Sequence, residues 1–275
     1  MKITIITVAY NSEKSIGKAI ESVAGQTVLR QAAPGQAASG KSADQAGTDG
    51  SKSKAPGTDI LEYLIIDGAS KDNTVAVAES FRPALEAAGV TYRIVSEPDG
   101  GIYDAMNKGI RLATGDIIGI LNSDDWYEPD TLETVLQTFA TRDCDLMFAD
   151  IRMHKADGKT FVKHAKLGKY ETSRNWNHPT TFVKAELYKK YPFRNLGIHD
   201  DYGFYLQMRK LPAKIVTVDK VLANFRMGGA SNHKSLKEAV KRIKDRYRYC
   251  YRVNGYSRWY LVECVVIEAA KMILG

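Results

Sequence analysis

Cysteine is scarce in this sequence, and no secretory leader is evident. The three cysteines, Cys144, Cys250 and Cys264, lie far apart and form no C-x-x-C pair. This spacing argues against a zinc site and against a disulfide framework, and it indicates a reducing compartment, the cytoplasm. An apolar strand pattern follows Met1 directly, so we expect no signal peptide.

The composition is that of a globular protein whose positive charge is concentrated at one end. Of 275 residues, 44% are hydrophobic and 26% are charged, and the net charge is +7. Residues 231–275 contain ten Lys and Arg against four Asp and Glu, so they carry six of the seven excess charges. This asymmetry points to an anionic partner surface for the C-terminal segment.

Segments with strand and helix spacing alternate along the first 150 residues. Strands are predicted at 2–9, 60–66, 91–96, 116–121 and 146–149, and helices near 13–24, from 73, and near 102–114 and 130–139. The alternation predicts an α/β fold with a mostly parallel sheet and helices on both faces. Short strands near 213–218 and 221–225 and a turn at Asp157-Gly158 are expected in the less regular second half.

Two segments depart from this pattern. Residues 30–58 contain almost no large apolar groups, so we interpret them as a disordered loop inserted into the domain. Residues 231–275 form basic, amphipathic helices that break near Asn254-Gly255. We therefore predict one domain over 1–230 and a helical C-terminal appendage.

Polar residues follow four of the predicted strands, where ligands bind in open α/β sheets. The segments are Thr7 to Asn11, Asp67, Glu97 to Gly101, and Asn122 to Asp125. Adjacent Asp124 and Asp125 repel each other unless a cation or polar ligand joins them, and Mg²⁺ binds with one or two carboxylates plus phosphate. A nucleotide with a divalent ion satisfies this pattern. The alternative is that the two acids cap the next helix.

The chain resembles the family 2 glycosyltransferases, which are inverting enzymes with the GT-A nucleotide-sugar fold, and within them the branch that builds bacterial surface polysaccharides such as O-antigen. The resemblance covers roughly residues 1–29 and 59–231. Its motifs are Val8 to Asn11 (VAYN), Ile65 to Thr74 (IIDGASKDNT), Ser96 to Gly109 (SEPDGGIYDAMNKG), Leu121 to Asp125 (LNSDD), His178 to Phe182 (HPTTF), Asp200 to Tyr202 (DDY) and Phe225 to Ser231 (FRMGGAS).

The resemblance implies a donor site for the nucleotide sugar. The residues implied are Thr7, Ala9, Tyr10, Asp67, Asp99, Asp104, Asn107, Lys108, Asn122 and Ser123. Of these, Thr7, Ala9 and Tyr10 would hold the nucleoside, and Asp67 would accept a base N–H. Asp124 would bind the metal, Mg²⁺ or Mn²⁺, as the third residue of the family's D-x-D motif. Asn122 departs from the pattern at the first position, since an amide is a poor metal ligand.

The same resemblance makes Asp201 the general base. A carboxylate there would take the proton of the acceptor hydroxyl as the oxygen attacks the anomeric carbon. Asp200 competes for this role, and both acids also suit the first turn of a helix. His178 could bind the metal ion, contact the acceptor or have a structural role. Arg226 could contact the diphosphate or form an ordinary surface ion pair.

The C-terminal segment is predicted to rest on a membrane. Basic residues alternate with apolar and tyrosine side chains over 234–252, and the apolar stretch 259–274 is too short and too charged to span a bilayer. An interfacial helix pair on anionic lipid fits this pattern, and packing on the domain with a solvated basic face is the alternative. No nucleic-acid recognition module is evident.

The sequence therefore predicts a cytoplasmic glycosyltransferase, peripheral on the inner face of the cell membrane. It would move a sugar, most simply from a UDP-sugar, to a hydroxyl of a lipid-linked or growing glycan. Two alternatives stay open. A sugar nucleotidyltransferase would usually carry a Gly-rich, basic loop after the first strand, and residues 8–12 have neither. A non-catalytic binding subunit would keep the fold without turnover.

Overall fold

The structure is a computed structural model, and it describes residues 1–32, 60–228 and 235–274. Its strands are β1 (Ile3–Ala9), β2 (Leu61–Asp67), β3 (Thr91–Ser96), β4 (Ile117–Asn122), β5 (Trp126–Tyr127), β6 (Leu146–His154), β7 (Thr160–Lys163), β8 (Phe182–Lys184) and β9 (Ile215–Arg226). Its α-helices are α1 (Ile16–Ala24), α2 (Thr27–Ala32), α3 (Thr74–Ser80), α4 (Arg82–Ala87), α5 (Ile102–Leu112), α6 (Thr131–Thr141), α7 (Ala185–Lys190), α8 (Asp200–Met208), α9 (Leu236–Asp245) and α10 (Tyr260–Leu274).

The strands form one mixed sheet in the order β3-β2-β1-β4-β8-β6-β9-β5, and β7 pairs with β6. Strands β3, β2, β1 and β4 are parallel, as the alternation predicts. The sheet as a whole is mixed rather than mostly parallel, because β8 runs antiparallel to both β4 and β6. The connection before β8 contains no α-helix, and antiparallel strands need no helical crossover.

The alternation of side chains along β1 builds a core on each face of the sheet. Ile3 and Ile5 join a cluster with α1 and α6, whereas Ile6 and Val8 join a second cluster with α5, α7 and α8. Helices therefore cover both faces, as predicted. The second cluster also contains Cys250, Tyr251 and Cys264, so the C-terminal helices share a core with the sheet.

Several predicted elements need correction. Residues 30–32 belong to α2 and are not part of a loop, and the rest of the predicted insertion, 33–58, lies outside the described residues. The two short strands predicted near 213–225 are one strand, β9, with irregular register opposite Ala149 and Asp150. The turn at Asp157-Gly158 is confirmed, because β6 and β7 pair as a hairpin around it.

Within residues 235–274 the chain forms the two predicted α-helices, α9 and α10, and it breaks where predicted. After α9 the chain continues through π-helical turns to Tyr251 and a 3-10 turn that ends at Gly255, whose φ is +73°. Glycine adopts this left-handed conformation without a steric penalty. Across the break, Tyr251 stacks on Tyr260 with ring centroids 4.6 Å apart. None of the helices in the described part of the chain is long and apolar enough to cross a bilayer. The division at residue 230 stays a prediction.

Candidate active site

A cleft of about 1490 Å³ opens at the carboxyl ends of the parallel strands. Its lining includes Ala9 and Tyr10 at the end of β1, Gly68 after β2, Asp99 after β3, and Asn122 to Asp124 at the end of β4. Asp201, in the first turn of α8, also lines the cleft. Pockets for one small ligand usually occupy roughly 300–1,000 Å³. This cleft therefore has room for two substrates.

Asp124 and Asp125 follow β4 but have different surroundings. Asp124 lines the cleft, and burial raises the pKa of its carboxyl. Asp125 is buried and accepts the Arg226 N–H at 3.1 Å, and burial and the Asp124 charge raise its pKa well above the usual range. The next helix, α6, begins only at Thr131, after β5. The helix-cap alternative for the two acids is therefore wrong.

The loops after β1 and β2 are joined by side-chain hydrogen bonds. The Asn11 N–H donates to Ser70 Oγ at 2.8 Å, and Asn11 Oδ1 accepts the Lys71 N–H at 2.9 Å. Ser70 Oγ in turn donates to Asp67 Oδ1 at 2.5 Å. Asp67 is fully buried, and its carboxylate accepts hydrogen bonds from Ser70 and Ser96. It therefore stabilises the loop that forms this side of the cleft.

At the end of β2, the cleft is lined by Gly68 and not by Asp67, the residue before it. A Cβ there would lie 2.7 Å from Asp99 Oδ2 and 3.3 Å from Tyr10 Cδ2. Only glycine lets these two side chains approach the β2 end so closely. Sequence reasoning included Gly68 in a motif but gave it no role, although a glycine directly after a buried strand signals close approach.

Asp201 occupies the first turn of α8 and points into the cleft. Its Oδ1 accepts the Tyr103 hydroxyl at 2.9 Å and the Tyr202 N–H at 2.8 Å. Its Oδ2 lies 3.5 Å from His178 Nδ1. Asp200, the competitor, is buried and accepts the Leu196 N–H at 2.7 Å, and it does not line the cleft. The geometry therefore favours Asp201 over Asp200.

The C-terminal helices contribute to the cleft. Arg242 of α9 lines it together with His199, the residue before α8. Arg242 Nε donates to Glu268 at 2.8 Å, and Arg246 donates to His199 Nε2 at 3.1 Å. This buried network connects α9 and α10 to the start of the helix that carries Asp201. Arg226 also lines the cleft, and its guanidinium lies 6.0 Å from the centre of the Trp126 ring.

The profile of Glycosyl transferase family 2 matches residues 4–199, about 70% of the chain. This chain belongs to that family. It is 32% identical over 192 residues to a PGL/p-HBAD biosynthesis glycosyltransferase of Mycobacterium bovis, covering 66% of this chain and 72% of the relative. It is 30% identical over 212 residues to an uncharacterized glycosyltransferase of Mycobacterium tuberculosis, covering 73% and 78%. The protein is a glycosyltransferase, and the nucleotidyltransferase alternative finds no support.

Solved structures share the fold at low sequence identity. The Staphylococcus aureus protein TarS in complex with UDP has a TM-score of 0.58 and 18% identity, covering all of this chain and 67% of its own. The mannosyltransferase PcManGT from Pyrobaculum calidifontis, in complex with GDP-Man and Mn²⁺, has a TM-score of 0.58 and 15% identity, covering all of this chain and 70% of its own. The GT-A fold of this family 2 glycosyltransferase is thus confirmed.

The structure brings together some of the predicted residues and separates others. Those that line the cleft are Ala9, Tyr10, Asp99, Asn122, Ser123, Asp124 and Asp201. Thr7 lies deeper on β1, where its side chain is buried and 3.0 Å from the Tyr63 hydroxyl. Thr7 and Asp67 do not line the cleft, and their contact with the nucleoside stays a prediction.

Helix α5 carries three predicted residues that support the cleft without lining it. Asp104 accepts the Gly100 N–H at 2.9 Å, and Lys108 pairs with Glu97 at 2.8 Å. Asn107 donates to the Phe193 carbonyl at 2.8 Å and accepts its N–H at 2.9 Å. Asp104 and Lys108 bind the loop that follows β3, and Asn107 binds the segment before α8, so none of the three lines the cleft. Their place in the donor site stays a prediction. Of the last motif, residues 229–231 lie outside the described residues.

Proposed function

We propose that this glycosyltransferase moves one sugar from a UDP-sugar to a hydroxyl of a lipid-linked or growing cell-surface glycan, with inversion at the anomeric carbon. The observation that carries the proposal is the single cleft shared by Asp124 and Asp201. One acid follows a parallel strand and the other begins a helix of the second half, so two substrates can meet between them. The TarS structures contain UDP and UDP-GlcNAc, whereas PcManGT contains GDP-Man, and we take the uridine donor as the first to test.

The acceptor hydroxyl would be activated by Asp201. Its carboxylate takes the hydroxyl proton while the oxygen attacks the anomeric carbon from the face opposite the leaving diphosphate. The C1–O bond to the diphosphate breaks, and its electron pair leaves with the phosphate oxygen. One displacement without a covalent intermediate inverts the configuration.

A divalent ion fits the Asp124 end of the cleft. Asn122 Oδ1 is buried there with no hydrogen-bond partner in the described part of the chain. Within the same ranges no group of three or more His, Cys, Asp or Glu side chains forms a closed metal site. Mg²⁺ and Mn²⁺ suit such a sparse site, because they keep water and substrate phosphate in their shell. When bound to Asp124, the ion would offset charge on the departing diphosphate.

The C-terminal helices would hold the enzyme on the cytoplasmic face of the membrane. Large apolar side chains of α10 and the residue before it are exposed, among them Trp259 at 81% and Val262 at 55%. Residues 231–275, which contain both α9 and α10, carry most of the chain's excess positive charge. Apolar and basic groups on one helix pair suit an anionic bilayer surface. This location would bring a lipid-linked acceptor to the cleft.

The decisive experiment compares wild type with Asp201→Asn. We expect wild type to hydrolyse UDP-sugars slowly and to transfer sugar to extracted lipid-linked acceptors. Asp201→Asn should lose transfer by about 10²-fold or more, since general bases contribute roughly 10²–10⁴. It should still bind the UDP-sugar, measured by calorimetry. No hydrolysis or transfer by wild type with any nucleotide sugar would support the non-catalytic alternative, and lost donor binding would contradict the base assignment.

A further inference from the structure

Tyr103 connects α5 to α8 at the cleft through one hydrogen bond. It is the second residue of α5 and lies within the motif SEPDGGIYDAMNKG. Its side chain is 6% exposed, and its ring lies 5.4 Å from the ring of Phe193. The hydroxyl donates to Asp201 Oδ1 on α8 at 2.9 Å. Helix α5, which follows the β3 end, is thereby connected to the candidate base.

The two oxygens of Asp201 are unequal. Oδ1 accepts two hydrogen bonds, from the Tyr103 hydroxyl and the Tyr202 N–H, which matches its two lone pairs. Oδ2 lies 3.5 Å from His178 Nδ1, beyond the 2.7–3.2 Å typical of N–H···O bonds. The side chain is 22% exposed and lines the cleft. Lone pairs of Oδ2 are therefore left for a substrate hydroxyl.

We propose that Tyr103 is a positioning residue that fixes the Asp201 carboxylate so that Oδ2 takes the proton of the acceptor hydroxyl. This inference rests on the proposed function, because it assigns the atom and the support of the same base. The O–H bond of the acceptor breaks, its proton goes to Oδ2, and its electron pair forms the new bond to the anomeric carbon. Tyr103 keeps its own proton throughout.

The surroundings of Tyr103 suit a donor that never ionises. Burial and the neighbouring Asp201 charge raise the pKa of its phenol well above 10. Burial also lowers the pKa of His178 while Asp201 raises it, which leaves a mainly neutral imidazole beside Oδ2. A neutral neighbour competes less for Oδ2 than a cation would.

The test is Tyr103→Phe, which removes one oxygen and leaves the ring in place. We expect kcat to fall about 10- to 100-fold, since misplacing a reacting group by about 1 Å can cost 10²-fold, while the donor KM changes little. The acidic limb of kcat/KM should move to higher pH, because Oδ1 loses one of the two hydrogen bonds that favour the charged carboxylate. The titratable or charged groups around Asp201 are Tyr103, Lys163, His178, Tyr188, Asp200 and Cys250.

Tyr92→Phe is the matched control. Tyr92 is 7% exposed and its hydroxyl donates one hydrogen bond, to the Ala78 carbonyl at 3.0 Å, away from the cleft. It should lose comparable stability and keep kcat and the pH profile of wild type. If both variants lower kcat equally, or if Tyr103→Phe leaves kcat and the pH limb unchanged, the positioning role is wrong.

A double variant separates this inference from the proposed function. Because Tyr103 acts through Asp201, Tyr103→Phe should change residual activity less than twofold in an Asp201→Asn background. A further large loss there, in a double variant that melts at the temperature of Asp201→Asn, would overturn the inference. Full activity of Asp201→Asn alone would instead overturn the proposed function, whereas a dead Asp201→Asn with an unaffected Tyr103→Phe would overturn only the inference.

Discussion

Asp124 lies in a partly buried position beside the cleft. Burial raises the pKa of its carboxyl and the Arg226 charge opposes that rise, so positive charge near Asp124 favours its ionised form. A divalent ion bound there would add to this positive charge and lower the pKa of Asp124. At the scale of single residues, the proposed metal binding would therefore be coupled to the charge of Asp124.

Asp124→Ala should abolish Mn²⁺-dependent transfer. A metal that offsets transition-state charge contributes several kcal/mol, so we expect a loss of at least about 100-fold. A second readout is thermal shift: Mn²⁺ should raise the melting temperature of wild type with UDP further than UDP alone, because bound ligand stabilises by mass action. The variant should lose this increment.

Asp130→Ala is the control for Asp124→Ala. Asp130 is a half-buried acid that pairs with Lys220 and does not line the cleft. It should keep both the activity and the Mn²⁺ increment of wild type. Unchanged turnover of Asp124→Ala at saturating Mn²⁺ would show that Asp124 is not the ligand.

At the scale of elements, the close contact of β1 and β4 depends on Gly115. A Cβ at this position would lie 2.7 Å from the Thr4 backbone nitrogen and 2.9 Å from the Ile3 carbonyl carbon. Gly115 also donates its N–H to Thr4 Oγ1 at 2.9 Å. Since β4 delivers Asn122 to Asp124 to the cleft, its alignment with β1 sets the geometry of the site.

Gly115→Ala should destabilise the protein by about 1–3 kcal/mol, because backbone atoms cannot move aside as a side chain could. Urea unfolding followed by circular dichroism measures this as a lower midpoint. Gly17→Ala on α1 should act oppositely: its Cβ meets Val77 at an ordinary 3.7 Å, and alanine favours a helix over glycine by up to about 1 kcal/mol. Equal midpoints for the two variants would contradict the proposed contact.

At the scale of the whole molecule, one core joins the catalytic sheet to the C-terminal helices. Tyr202 of α8 and Tyr251 have hydroxyls 3.0 Å apart, and Tyr251 donates to Glu263 of α10 at 2.8 Å. One face of α10 is used for this packing. Another exposes Val262, Val265 and Val266, and Trp259, the residue before the helix, is exposed as well. The exposed face is the surface that we propose to meet the membrane.

The membrane proposal predicts binding to anionic vesicles that is lost on adding polar groups to this face. Wild type should sediment with vesicles of phosphatidylglycerol, and less so at 0.5 M salt, because salt screens exposed charges. Trp259→Ser with Val262→Glu should reduce the bound fraction strongly. Phe161→Ser, which changes an exposed apolar residue of β7, should not. Equal sedimentation of all three proteins would contradict the proposal.

Much of the fold and part of the site could be predicted from particular residues. The charge-free run before Asn122 marks a buried strand, and the carboxyl ends of parallel strands must share an edge, so Asp124 and Asp99 could be placed in one cleft. The surroundings of Asp67 on β2 and Asp104 on α5 could not be predicted in this way. Their sequence pattern is the same whether the carboxylate faces a ligand or binds a neighbouring loop. Strands β7 and β8 are short and lack a helical crossover, so their pattern gives little signal.

Local sequence patterns were enough to predict the α/β order, the break at Gly255 and the family motifs. These patterns are apolar periodicity, a residue that tolerates positive φ, and short motifs in the expected order. Which acids share the cleft, and how each is held, depends instead on how distant elements pack. That Tyr103 meets Asp201, 98 residues away, depends on how α5 and α8 pack on the same face of the sheet, and no local pattern records such a contact.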